Sequence, residues 1–191
     1  MNDKINEILK VSAEVFSEYG YKKTSMQDIG ERLGMTKSNL YIYFKNKEDL
    51  YINSVSNELL KWRTAVEEEI KHQKMCADKF MAMCKKSFEY IHENSILKNL
   101  VEKDHSIFVT NRDNDRFIEI NVKARQIVKD IINEGIENGE FRNVDTDNIA
   151  EYIFSAYMMY LIKLYSEKDK YTTEKLVDDV VDLLLHGLLK K

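Results

Sequence analysis

Residues 24–47 read TSMQDIGERLGMTKSNLYIYFKNK. Two short helical patterns flank Gly34-Met35-Thr36. In the first, Thr24 or Ser25 is an N-cap, and Gln27 and Asp28 stand where a capping box needs them. Met26, Ile29 and Leu33 share one face at i, i+3, i+7. Gly30 lies inside this helix, where it costs about 1 kcal/mol relative to alanine. Close approach of another backbone would offset that cost. Gly34 supplies a tight turn, and Thr36 caps a second helix over residues 37–43, pinned by Leu40 and Phe44. The pattern predicts a helix-turn-helix whose second helix enters the major groove of DNA.

The exposed side of that second helix has the required chemistry. Reading base edges needs hydrogen-bonding side chains near a helix N-terminus. Lys37, Ser38, Asn39, Tyr41 and Tyr43 are the candidates: Lys37 reaches guanine acceptors or phosphate, and Asn39 pairs with adenine. Clamping phosphate needs hydroxyls, cations and free backbone N–H groups. Thr24, Ser25, Tyr43 and Lys47 supply them, with Lys47 at the positive end of the next helix. Any one of these residues could equally be a packing aromatic or a solvated lysine. Caps, turn, aromatics and lysines arriving in one register are harder to explain that way.

On either side the chain reads as helix. Residues 3–19 place Ile5, Ile8, Leu9, Ala13, Phe16 and Tyr19 on one stripe, and Gly20 is a left-handed stop. Asn46 caps a long helix to about residue 71, with Leu50, Val55, Leu59, Trp62, Val66 and Ile70 on its buried side. Further helices are expected over 77–92, 96–108, 117–136, 145–165 and 173–189. The chain has no proline and six glycines among 191 residues, so little interrupts them. The fold class expected is all-α: an N-terminal three-helix DNA-binding domain (1–47) and a C-terminal helical domain (48–191), about nine helices in total.

Charge supports a small nucleic-acid surface on an otherwise acidic protein. Residues 1–50 hold eight basic and eight acidic side chains, so the remainder carries the whole net charge of −4. No apolar run is long enough to span a bilayer. The polar N-terminus lacks the apolar core of a signal peptide, so a cytoplasmic protein is expected, without a membrane partner.

With these residues in place, the stretch 8–50 resembles the DNA-binding head of the TetR family of bacterial regulators. The likeness rests on Phe16, Gly20, Thr24, Ser25, Ile29, Gly34, Lys37, Leu40, Tyr41, Tyr43, Phe44, Lys47, Glu48 and Leu50. The family pattern Y-x-Y/H-F-x-x-K appears as Tyr41-Ile42-Tyr43-Phe44-Lys45-Asn46-Lys47. Gly30 and Leu33 stand where alanines are common in the family, and Ser38 where glycine is common. The resemblance implies a homodimeric repressor on a palindromic double-stranded DNA operator. It also implies that the helical body, 48–191, is a variable regulatory, ligand-binding and dimerisation domain, in which binding of a small-molecule effector re-spaces the two heads and releases the DNA.

The body has no motif of comparable specificity. Its last two helices offer a dimer face in Ile153, Tyr157, Tyr160, Val177, Val180, Val181 and Leu184, which would make a four-helix bundle with a second copy. The same stripes would also serve a core. Trp62, Met81, Phe88, Phe108, Phe117 and Tyr152 are candidate walls of an apolar effector pocket, with His92 as a polar contact. His72 and Cys76, at i and i+4, could hold a metal with Cys84 or His105, and either thiol could sense oxidants. Neither a cofactor nor a resident metal is expected. No nucleophile–base pair or phosphate loop supports an enzyme, and a purely partner-binding module leaves the exposed Lys37 and Asn39 unexplained.

Overall fold

The computed structural model describes residues 2–108, 115–166 and 173–189; at residue 2 and at 164–166 and 173–177 it describes the backbone alone. These residues form nine α-helices and one 3-10 turn: α1 (Asn2–Tyr19), α2 (Met26–Leu33), α3 (Lys37–Leu40), α4 (Lys47–Lys71), α5 (Cys76–Glu93), α6 (Ser95–Lys103), η1 (His105–Phe108), α7 (Ile118–Glu137), α8 (Thr146–Ser166) and α9 (Thr173–Leu188). The all-helical architecture agrees with the periodicities. Among the described residues the one β-type pairing is an isolated bridge between Phe141 and Leu189.

Two expected elements differ. The helix expected over 37–43 is regular only to Leu40. Beyond it Ile42 N–H donates to Asn39 and Tyr43 N–H to Leu40, bonds of i to i+3 type that tighten the last turn. The helix expected over 96–108 breaks at Asp104. The Asp104 carboxylate accepts the Ser106 N–H at 3.1 Å, an Asx turn that competes with continued helix.

The chain folds as two compact units. The first comprises Met1–Lys61 with Asn94–Phe117, and the second Trp62–Glu93 with Ile118–Lys191. The expected boundary at 47/48 falls one residue inside α4, and compactness assigns the first part of α4 to the head. Leu50, Tyr51, Val55 and Leu59 are its buried apolar residues there.

In the first unit α1 packs against α2 and α6, and α2 against α3. Ile8, Ala13 and Phe16 of α1 are completely buried, as are Ile29, Leu40 and Leu50. Truncating one such side chain to alanine typically costs 2–5 kcal/mol (roughly), because a cavity remains. Tyr19, expected on the same stripe as Phe16, is 53% exposed. Arg32 on α2 forms a two-pronged ion pair with Glu18 on α1. The Arg32 hydrogen bond holds the Glu18 carboxyl below its ordinary range.

In the second unit α7 packs on α5 and α8, and α5 on α9. Phe80, Ile91, Ile132 and Leu161 are fully buried there. The free N–H groups of Cys76 and Ala77 at the start of α5 donate to the Glu140 carboxylate, at 2.8 and 3.3 Å. Lys79 of α5 pairs with Glu134 of α7 at 2.6 Å.

Candidate nucleic-acid interface

The expected caps form. Ser25 is the N-cap of α2: its N–H and hydroxyl both donate to the Asp28 carboxylate, at 2.7 and 2.8 Å, while Asp28 N–H donates to Ser25 Oγ. These bonds, the backbone one foremost, hold the Asp28 carboxyl below its ordinary range. Gly34 ends α2 at φ +64°, in the left-handed region that favours glycine. Thr36 Oγ1 then accepts the Asn39 N–H at 3.2 Å and starts α3. Gly30 has the expected reason: a Cβ there would lie 2.7 Å from the carbonyl oxygen of Met35. The bare glycine lets the α2–α3 turn seat directly on α2.

Packing then decides which side chains remain outside. Leu40 and Phe44 are buried, and Lys37, Ser38, Asn39, Tyr41 and Ile42 are exposed. Lys37 Nζ stands 5.8 Å from the centre of the Tyr41 ring. Tyr43 is half-buried beside this face. Ile42 is 77% exposed and was missed among the sequence candidates. The signal was present: it lies two residues from Leu40 and two from Phe44, so it points away from the core that both enter. A bare isoleucine would suit the methyl group of thymine.

The residues expected to grip phosphate divide into two kinds. Ser25 is exposed, although its hydroxyl already bonds to Asp28. Thr24 is buried, and its hydroxyl donates inward to the Gly20 carbonyl at 2.9 Å. Lys47, the first residue of α4, is half-buried. Its ammonium donates to the carbonyls of Tyr21 and Thr24, at 2.9 and 3.0 Å, and sits 4.2 Å from the Tyr21 ring centre. Lys47 therefore staples the α1–α2 connection to the start of α4. An ammonium has three donors, so one remains for an outside acceptor.

The candidate effector residues are divided between the two units. Phe108 and Phe117 are buried in the first unit, and Trp62 in the second. Trp62 Nε1 donates to the Ser87 carbonyl at 3.1 Å. Phe88 lies edge-on to Tyr157 and Tyr160, with ring centres 4.8 and 5.5 Å away, and Trp62 is 6.1 Å from Tyr157. These four aromatics make a continuous patch. Met81 lies in a shallow charged groove with Glu69, Asp78, Lys85 and Glu89. His92 and Tyr152 are exposed, Tyr152 by 68%.

The dimer candidates divide similarly. Ile153 and Val181 are buried within the second unit, while Tyr157 and Tyr160 pack on Phe88. Leu184 is half-buried, Val180 is 44% exposed, and the side chain of Val177 lies outside the described residues. Among the described residues, the large apolar side chains that α8 and α9 leave bare are Tyr152, Met159, Val180 and Leu183. Stripe membership alone could not separate these from Ile153 and Val181, because α8 is apolar nearly all round.

The thiols are poorly suited to redox sensing. Burial raises Cys76 to about 11, helped by the nearby Glu134 and Glu140 carboxylates, and burial raises Cys84 to about 12. Little thiolate forms at neutral pH. Among the described residues no three His, Cys, Asp or Glu side chains gather as a metal would need. No helix among them is long and apolar enough to cross a membrane.

Known proteins resemble both the head and the body of the chain. Residues 8–53 match the family of bacterial regulatory proteins described as tetR, and residues 58–190 match the QacR-like C-terminal region. The fatty acid metabolism regulator protein of Bacillus subtilis is 26% identical over 98% of this chain and 97% of its own. The regulator QacR of Staphylococcus aureus is 25% identical over 97% of this chain and 98% of its own. The crystal structure of FadR from Bacillus subtilis in complex with stearoyl-CoA superposes with a TM-score of 0.81, at 25% identity, over 94% of this chain and 97% of that one. With both parts matched in order along nearly the whole length, the chain belongs to the TetR family and is a DNA-binding transcriptional regulator.

Proposed function

We propose that the chain represses transcription in the cytoplasm as a homodimer on a palindromic operator, and that a fatty acyl thioester of coenzyme A releases it. The observation that carries the DNA half is the exposed rim Lys37, Ser38, Asn39, Tyr41 and Ile42, held by two capped helix starts. Lys37, Asn39 and Ile42 read base edges; Ser25, Tyr43 and the remaining donor of Lys47 meet phosphate. Thr24 contributes through its backbone, since its hydroxyl is bonded inward.

Dimerisation is assigned to α8 and α9 through Tyr152, Met159, Val180 and Leu183. Bare apolar side chains gathered on one part of a fold mark an interaction surface. A two-fold axis would set two heads on half-sites about 34–36 Å apart.

The ligand half is supported by the stearoyl-CoA bound to the Bacillus subtilis relative. It is also supported by the aromatic patch of Trp62, Phe88, Tyr157 and Tyr160 in the second unit. The Tyr160 hydroxyl is buried and has no hydrogen-bond partner among the described residues. Leaving a donor unsatisfied costs about 1–3 kcal/mol, which an acceptor on a ligand would recover. The test is binding to a duplex from upstream of the chain's own gene, followed by fluorescence anisotropy. Stearoyl-CoA should release the duplex and free coenzyme A should not. If acyl chains of several lengths leave the affinity unchanged, the ligand assignment fails and the DNA reading stands. A monomer in sedimentation at micromolar concentration would sink the dimer.

A further inference from the structure

The DNA-facing residues account for contact, but not for what holds them in register. Asp104, at the end of α6, is bonded from three sides. Its Oδ2 accepts from the Tyr51 hydroxyl at 2.7 Å and from Arg116 Nη2 at 2.8 Å. Its Oδ1 accepts from Ser106 N–H at 3.1 Å and also from the Ser106 hydroxyl. Burial alone would raise its carboxyl, but the bonds from Ser106, Tyr51 and Arg116 together outweigh this and lower it. Asp104 is therefore charged and fully engaged at neutral pH.

Tyr51 carries the connection inward. It is 1% exposed, and its ring meets Phe16 edge-on at 5.0 Å and Tyr21 at 4.9 Å. The Arg116 guanidinium stands 5.4 Å from the Tyr51 ring and 5.7 Å from the Phe117 ring. Tyr21 in turn lies beneath the Lys47 ammonium, which also binds the Tyr21 and Thr24 carbonyls. One residue further on is Ser25, the cap of α2. An unbroken series of contacts thus runs from Asp104 and Arg116 through Tyr51, Tyr21 and Lys47 to the start of the helix-turn-helix. All of it lies inside the first compact unit.

We propose that Asp104 and Arg116, which lie far from the helix-turn-helix in sequence, are positioning residues for specific DNA reading. They act by clamping Tyr51 and, through Tyr21 and Lys47, fixing the α1–α2 connection. The physical reason is a difference in tolerance. Base readout needs donors held to a fraction of an ångström, whereas attraction to the phosphate backbone tolerates displacement. Loosening the clamp should therefore cost specific binding and spare non-specific binding. This inference rests on the DNA-binding reading of the head.

The test uses the full chain and a duplex that the wild type selects from a random-sequence pool, with an unselected duplex as reference. Tyr51→Phe deletes one hydroxyl and keeps the packed ring. It should lower affinity for the selected duplex about tenfold, the size of one charge-assisted hydrogen bond. Affinity for the unselected duplex and the salt slope should stay within about twofold of wild type. Asp104→Ala should do at least as much, and the double variant no more than Asp104→Ala, since both remove one linkage. Arg116→Lys should recover most of the ratio lost in Arg116→Ala.

A merely structural role would lower the melting temperature of Tyr51→Phe and leave the ratio of selected to unselected affinity unchanged at temperatures where it is folded. That result, or losses that multiply in the double variant, overturns the proposal. If the wild type selects no duplex at all, the DNA reading itself falls, and this inference with it.

Discussion

The α2–α3 turn and the α7–α8 connection both depend on a glycine that another group fills, and they do so in different ways. At Gly30 the intruder is the backbone of the turn, with the Met35 carbonyl oxygen 2.7 Å from where a Cβ would stand. At Gly135 it is a side chain, the fully buried Phe141 ring, 2.2 Å away. The α2–α3 turn is thus placed by a backbone contact and caps. The α7–α8 connection is placed by side-chain packing. A backbone contact transmits displacement directly to α3, while a packed ring passes it to its neighbours.

Alanine at each glycine is the sharpest way to break this contrast, and has the largest expected effect. Both should destabilise by about 1–3 kcal/mol, the usual cost of overpacking, partly offset by the better helix propensity of alanine. Their consequences should separate. Gly30→Ala should abolish selective DNA binding even where circular dichroism shows a folded chain, because the Met35 carbonyl cannot move without moving Lys37. Gly135→Ala should lower the melting temperature while the folded fraction binds DNA normally. If Gly30→Ala binds like wild type, the turn is not seated as described.

The next effect in size lies within the head. Lys37→Ala, Asn39→Ala and Ile42→Ala should each relax base preference at one position, at about 1–3 kcal/mol of discrimination for a good polar contact and less for Ile42. Lys47→Ala should differ in kind. It should weaken all duplexes and also lower the melting temperature, because its ammonium bridges the Tyr21 and Thr24 carbonyls. A Lys47→Ala chain with unchanged thermal stability would show that the staple contributes nothing and that only the phosphate contact matters.

That distinction also marks what the sequence could reveal. Ser25, Gly34 and Thr36 were legible because caps and left-handed turns are local: each needs only the residues within a few positions of it. The exposed rim of α3 was legible for the same reason, and Ile42 could have been read from its spacing to Leu40 and Phe44. The inward hydroxyl of Thr24 and the double duty of Lys47 were not legible. The first is a bond to the Gly20 carbonyl four residues back, a choice of rotamer that residue type alone does not give, and the second depends on carbonyls more than twenty residues from Lys47. Asp104 and Arg116 were least visible of all, because they meet Tyr51 from more than fifty residues away in sequence. In the second unit, Ile153 and Tyr152 are adjacent on α8, yet one is buried and the other bare. Periodicity locates an apolar helix, but only the packed neighbours decide which side is inside.

The smallest expected effects concern pH, and they divide the two units again. The Asp104 carboxyl is lowered in the folded first unit. Its contribution to stability is therefore present above the unfolded carboxylate pKa of about 4 and is lost as pH falls through the folded value. Cys76 and Cys84 in the second unit are raised, to about 11 and about 12. Their contribution is full below the unfolded thiol pKa of about 8.5 and is lost as pH rises through the folded values. Asp104→Asn should accordingly flatten the acid limb of the stability profile, and Cys76→Ser with Cys84→Ser the alkaline limb. Below pH 8 the thiols should react with an aromatic disulfide reagent far more slowly in the folded chain than in denaturant. The serine pair should bind the selected duplex like wild type with or without peroxide. Peroxide-dependent release of DNA that vanishes in the serine pair would instead make a thiol the sensor. It would also move the control of the head away from the aromatic patch around Phe88.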